Sequence, residues 1–330
     1  MSEAERKIFF IFPGQGSQYC GMGSDLVEEF ESAREIFGRA SEVVGYDMAE
    51  LCFNDPDGQL DLTRYTQPAL VTHQMACLAS FRSLAGEDRA IVPVLSAGHS
   101  LGEYTALVTG GALSFENALV LVKHRGELMS ELGEGGMLAT TLDLPSAAAL
   151  AADHYCAIGG CNLPEQTVIA GEDDDLEALR EDLTTAFPRK RGLRLRTEGA
   201  FHTYLMVNAA RRFRSILADA EFESLEVDVL SNYTGEVHEP DAEAIRSRLF
   251  FQLFNPVRWL GCMNTALDRG VDTIVEFGGG IGEGKGPEDR RANLENIVKK
   301  TLKIRKHEAT YLPAINSSGI YRAAEKLSSY

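Results

Sequence analysis

Residues 98–102 read Gly-His-Ser-Leu-Gly, a Gly-x-Ser-x-Gly pattern centred on Ser100. In such a pattern the serine sits on a sharp strand-to-helix turn that exposes its hydroxyl for attack on a carbonyl carbon. A hydroxyl is a weak nucleophile. It needs a base to take its proton and donors to hold the oxyanion that forms. The chain has seven histidines. His99 adjoins Ser100, but successive side chains diverge, so it is an awkward base. His202, in "EGAFHTYLM", is the other candidate. A lone histidine is more often structural, and its type alone leaves both roles open. The N–H of Leu101 stands at the start of the expected helix, where orphan donors and the helix dipole favour an anion.

These residues need particular elements around them. "IVPVL" reads as a strand before the turn, and "LGEYTALV" opens a helix after it. "IFFIFPGQGSQYCGMG" repeats the same grammar and puts Gln15 in a Gly-rich turn beyond an apolar strand. "DTIVEFGGG" is another apolar run ending in glycines. Helical stretches such as "FENALVLVKHRGELMSEL" alternate with these runs. The alternation predicts an α/β fold with a parallel sheet. Sites in open parallel sheets lie beyond the carboxyl ends of the strands, where Gln15 and Ser100 both fall.

The middle of the chain differs. "GMLATTLDL", "CAIGGCNLP", "QTVIAGE" and "KRGLRLRTE" read as strands, and "PSAAALAADHY" and "DDLEALREDLTTAF" as helices. The order βαββαβ is the ferredoxin-like pattern. We expect a small subdomain over 133–198, inserted into a body made of 1–132 and 199–330.

Composition narrows the function. The 330 residues are 44% hydrophobic and 25% charged, an ordinary globular mixture. The net charge of −17 argues against nucleic acid as the main partner. No apolar run approaches the ~20 residues that cross a membrane. The first residues carry too short an apolar stretch for a signal peptide. The expected location is therefore cytoplasmic. The six cysteines show neither Cys-x-x-Cys nor metal-ligand spacing, so buried free thiols and no metal are expected.

Seven segments in order, "IFPGQGSQYCGMG", "YTQPAL", "GHSLGEYTALVTGGALSFENAL", "HRGELM", "NLPEQTVIAG", "GAFH" and "NPVRW", resemble the malonyl-CoA:acyl carrier protein transacylases and the acyltransferase domains of polyketide synthases. The resemblance runs from about residue 8 to 280. It implies an α/β-hydrolase-like body with a ferredoxin-like insert. It implies Ser100 as nucleophile and His202 as general base, with a main-chain carbonyl, best placed at Asn255, orienting the imidazole. Gln15 and the N–H of Leu101 would form the oxyanion hole. Arg125 would grip the free carboxylate of a malonyl group, because a guanidinium offers a planar fork to two oxygens. Phe201 and Leu101 match malonyl-type members. Asn162, Gln166 and Gln67 are pocket or turn residues. The resemblance implies no bound cofactor. A coenzyme A thioester would be the substrate, and the phosphopantetheine thiol of an acyl carrier protein the acceptor. With no carrier or ketosynthase segment in it, the chain is expected to act in trans, in fatty-acid or polyketide synthesis.

The chain departs from the family at its last motif. "VEFGGGIGEGKGPEDRR" has Gly279 where proline is usual, with six glycines in 278–286. That density predicts a mobile or unusually folded loop. No phosphate-binding Gly-x-x-x-x-Gly-Lys-Ser/Thr is present. Two basic stretches, 189–196 and 299–306, interrupt the acidic background and are candidate docking sites for an acidic carrier protein. Three rival functions stay open here: a hydrolase that clears carrier-bound acyl groups, carrier-to-carrier transfer of an unusual acyl group, and a catalytically silent docking subunit.

Overall fold

The computed structural model describes residues 6–85, 91–284 and 286–328. Its strands are β1 (Ile8–Phe12), β2 (Leu95–Gly98), β3 (Gly136–Thr140), β4 (Ala157–Leu163), β5 (Gln166–Gly171), β6 (Gly192–Arg194), β7 (Asp228–Val229), β8 (Thr273–Phe277) and β9 (Thr310–Ala314). They make two sheets, ordered β7-β2-β1-β8-β9 and β4-β5-β3-β6.

The first sheet is parallel throughout. Strand β1 is buried along its whole length, as a strand covered on both faces must be. Phe10 and Phe12 face one core with Phe81 and Phe277, while Phe9 and Ile11 face another with Trp259. Phe12 pairs with Gly98, so β1 and β2 end level. Their turns, carrying Gln15 and Ser100, therefore emerge side by side. The strand expected at "IVPVL" begins later, at Leu95. Pro93 has no N–H to give a ladder, and Val92 and Val94 are exposed.

The second sheet is antiparallel, and its order is that of the ferredoxin-like pattern. Alternation sorts its side chains. Leu138 and Ile169 pack under the helices Leu144–Asp153 and Asp173–Ala186. Met137, Val168 and Ala170 point the other way and cluster with Phe201 and Met206. The sheet thus holds the segment that carries His202. Strand β4 is also tied to Val257 by two backbone hydrogen bonds, Cys161 N to Val257 O and Val257 N to Gly159 O. Four of the six cysteines are buried, but Cys20 is exposed and Cys161 half-buried. Among the described residues no helix is long and apolar enough to cross a membrane.

Candidate active site

Ser100 lies between β2 and the helix Gly102–Thr109, with φ at +51°, a left-handed conformation that serine rarely adopts. The bend leaves no space at its flanks. A Cβ at Gly98 would fall 1.8 Å from the Gly102 carbonyl carbon, and one at Gly102 would fall 2.3 Å from the Phe12 oxygen. Such strain persists only where the surroundings over-determine it. Here two buried amides do so. Asn232 Oδ1 accepts from Ser100 N (2.5 Å), and its Nδ2 donates to Gly98 O (2.8 Å). Gln252 Nε2 donates to Ser100 O (2.9 Å).

His202 Nε2 stands 2.7 Å from Ser100 Oγ, although 102 residues separate them. Its Nδ1 donates to the main-chain oxygen of Gln252 at 2.8 Å. That contact fixes the tautomer and leaves the Nε2 lone pair facing the hydroxyl. The orienting carbonyl is thus Gln252, not Asn255. Gln252 ends the helix Ala242–Gln252, where carbonyls have no intrahelical partner, whereas Asn255 lies beyond the helix and donates its side chain to Phe251 O. Burial, and then the charge of Arg125, pull the His202 pKa down to about 3, so the ring is neutral at pH 7. His99 is committed elsewhere. Its Nε2 meets Asn162 Oδ1 at 2.9 Å, and its ring packs on Trp259.

Arg125, on the helix Phe115–Glu131, is 1% exposed. It donates to Gln67 Oε1 (2.9 Å), Gln252 Oε1 (3.2 Å) and Ser100 Oγ (3.2 Å). Its guanidinium sits over the Tyr104 ring, and its Nε has no partner. It forms no salt bridge among the described residues. The buried Glu103 carboxylate supports this charge through Gln252, which accepts from Arg125 and donates to Glu103, but no carboxylate among the described residues touches the guanidinium itself.

The turn carrying Gln15 backs onto the elbow, since a Cβ at Gly14 would lie 2.6 Å from His99 O. The Gln15 amide nitrogen is engaged with Thr63 Oγ1 (3.0 Å). Leu101 is buried and directly precedes its helix. Phe201 is buried beside His202, and Gln166 begins β5, half-buried.

A family model described as "Acyl transferase domain" matches residues 9–277. The chain belongs to the acyl transferase family. It is 37% identical over 283 residues to a malonyl CoA-acyl carrier protein transacylase of Bacillus subtilis, covering 83% of this chain and 87% of that one. A malonyl CoA-acyl carrier protein transacylase structure from Clostridium perfringens superposes with a TM-score of 0.86, at 34% identity and 98% coverage of both chains. A malonyl-transacylase solved in complex with a type II polyketide-synthase acyl-carrier protein superposes with a TM-score of 0.85, at 32% identity over 97% of this chain and 99% of that one.

Sequence reasoning passed over the buried polar residues that hold the elbow, Gln252 and Asn232, and the Glu103 carboxylate to which both of them bond. The available signals were a lone glutamate within "LGEYTALV" and a lone glutamine within "FFQLF". A polar residue in an apolar run marks a buried hydrogen-bonding group. The Gly-rich stretch is an unusually folded loop. Lys285 lies outside the described residues. Arg290 donates to the carbonyls of Gly282 and Gly284 and stacks on Tyr19. Gly279, at φ +66°, donates its N–H to His73 Nδ1 at 3.0 Å. Proline could supply neither that angle nor that donor. The loop packs behind the Gln15 turn, with Gly280 N bonded to Ser17 O.

Proposed function

We propose that this acyltransferase moves a malonyl group from coenzyme A to the phosphopantetheine thiol of an acyl carrier protein, in the cytoplasm, through an acyl-Ser100 intermediate. The observation that carries this reading is Arg125. It is a buried guanidinium that forms no direct salt bridge among the described residues, 3.2 Å from the Ser100 hydroxyl. A malonyl group attached at Ser100 would bring a carboxylate into direct contact with it. An acetyl group would leave the cation unpaired.

In this mechanism His202 Nε2 takes the Ser100 proton as Oγ attacks the thioester carbon. The backbone N–H groups of Gln15 and Leu101 receive the oxyanion. Collapse breaks the C–S bond, and the coenzyme A sulfur leaves with the proton from His202. The carrier thiol then gives its proton to His202 and attacks the ester carbon, and the C–Oγ bond breaks as His202 returns that proton to Ser100. Substrate also tunes the base. Burial chiefly, and the Arg125 charge in addition, hold the His202 pKa down, and a carboxylate on Arg125 offsets the second part and makes His202 a better acceptor. Phe201, Asn162 and Gln67 would border the acyl group.

Of the two basic stretches, 189–196 is the better carrier-docking site. Arg189, Arg191 and Arg196 are exposed and form no salt bridge among the described residues, beside exposed Leu193. Past this segment the chain runs directly to His202. The stretch 299–306 ends beside Val271, where His307 Nε2 bonds Val271 O just before β8 begins. That is the amino end of the sheet, opposite Ser100. Residues 133–198, which carry the first stretch, form the small subdomain.

Intact mass measurement after incubation with malonyl-CoA tests the reading. One malonyl increment is expected on the wild type and none on Ser100→Ala. Labelling only from an acylated carrier protein would favour carrier-to-carrier transfer. Free malonate with no transfer to carrier would favour a hydrolase.

A further inference from the structure

Beneath the elbow lies a second polar cluster that the mechanism above does not use. Glu103, in the first turn of the helix Gly102–Thr109, has a side chain 0% exposed. Three donors from three different parts of the chain converge on it. His238 Nε2 donates to Oε1 at 2.8 Å, and Asn232 N and Gln252 Nε2 donate to Oε2 at 3.0 and 2.9 Å. His238 is also 0% exposed, and its Nδ1 has no partner.

The two amide residues held by Glu103 are the ones that hold the site. Asn232 fixes Gly98 O and Ser100 N. Gln252 fixes Ser100 O, gives its main-chain oxygen to His202 and its side-chain oxygen to Arg125. The elbow, the base and the guanidinium thus all hang on one carboxylate through two intermediaries. A buried carboxylate is expensive, and an apolar residue would fill the same volume more cheaply. Only an acceptor with several lone pairs can align three donors at once.

We propose that Glu103, braced by His238, is a positioning residue for acyl transfer. It sets where Gln252 and Asn232 stand, and through them the alignment of His202 with Ser100. This rests on the acyl-Ser100 mechanism but not on the identity of the acyl group. A glutamine at 103 can still accept from Asn232 and Gln252, provided His238 turns an accepting ring nitrogen to the new amide. Glu103→Ala offers no acceptor at all.

The test is a double-mutant cycle on the single-turnover acylation of Ser100, run with malonyl-CoA and separately with p-nitrophenyl acetate. Glu103→Ala should slow acylation on the order of 100-fold, the scale of a small misplacement of reacting groups, and Glu103→Gln by about tenfold or less. In a His202→Ala background both changes should cost less than about threefold, because the base they align is gone. Equal losses in both backgrounds would overturn the proposal, as would full activity of Glu103→Ala. If Glu103→Ala does not fold, His238→Leu leaves the carboxylate one donor short. It should then show a loss of about tenfold that again vanishes without His202. A persistent loss there would equally overturn it. A normal cycle with the ester but no labelling by malonyl-CoA would refute the malonyl assignment and leave the role of Glu103 standing.

Discussion

The turn after β2 and the turn after β8 invite comparison. The two strands flank β1, both run into glycines, and each turn touches a buried histidine whose pKa burial lowers to about 3. The chemistry differs because the ring nitrogens are used in opposite senses. His202 Nδ1 donates to a carbonyl, so Nε2 is left bare toward a hydroxyl. His73 Nδ1 accepts the Gly279 N–H, so the ring proton sits on Nε2, which faces the Cys77 thiol at 3.7 Å. Burial pushes that thiol well above its ordinary pKa. One turn ends in a base and a nucleophile, the other in a structural clasp. A buried, perturbed histidine beside glycines does not mark a site. What marks it is the bare nitrogen together with a buried cation, Arg125, that donates to the same hydroxyl.

The sharpest way to break this comparison is to remove each histidine. His202→Ala should slow Ser100 acylation by about 10³- to 10⁴-fold, the range of general-base catalysis. His73→Asn keeps an acceptor near Gly279 and should change the rate by less than about threefold. Single-turnover mass measurement reads both. A large loss at His73 would mean that the two turns are catalytically linked.

Next in size is the cation that only the first turn possesses. Arg125→Ala should reduce malonyl transfer by about 10²- to 10³-fold, roughly 3–4 kcal/mol, within the range for a broken buried charge pair. Acetyl transfer should fall far less, or rise. Parallel rate measurements with the two thioesters decide it, and equal losses would show that Arg125 does not read a carboxylate.

The glycines separate the turns further. Gly98→Ala drives a Cβ into backbone and should cost about 3 kcal/mol or more. Gly279→Pro loses a buried hydrogen bond and demands a negative φ, which should cost roughly 2 kcal/mol. It should leave the acylation rate of the folded protein nearly unchanged. Denaturant midpoints and single-turnover rates, taken together, distinguish strain in the site from strain in the clasp.

Much of this was legible in the residues. Alternation in β3 and β5 and helical spacing between them specify the small sheet, because each face packs a different core. The resemblance carried by the order of motifs singled out Ser100, His202 and Arg125, whose types alone left their roles open. The carbonyl at His202 was not legible. A backbone oxygen carries no residue identity, and its availability depends on where a helix stops. Glu103 and His238 meet across 135 residues, and local pattern holds no record of such a pairing. The glycines of 278–286 could not say whether their loop was loose or held, because the answer lies in Arg290.

The smallest difference concerns acid. In both histidines the folded pKa lies below the ordinary value of 6.5. Between about pH 6.5 and 3 the unfolded chain therefore binds more protons than the folded one, and stability falls as pH falls. From pH 7 to 5 each ring should contribute a loss of about 2 kcal/mol. His73→Asn should flatten this slope by its share, which denaturant titrations at the two pH values measure. In stability the two turns should thus behave alike. In activity they should not. The acid limb of acylation should follow His202 alone and lie well below pH 6.5 at low substrate. At saturating malonyl-CoA it should move upward in part, because a carboxylate on Arg125 offsets the charge that adds to burial in lowering His202. A limb that stays in place, or one that His73→Asn displaces, would contradict the assignment of the base to the first turn.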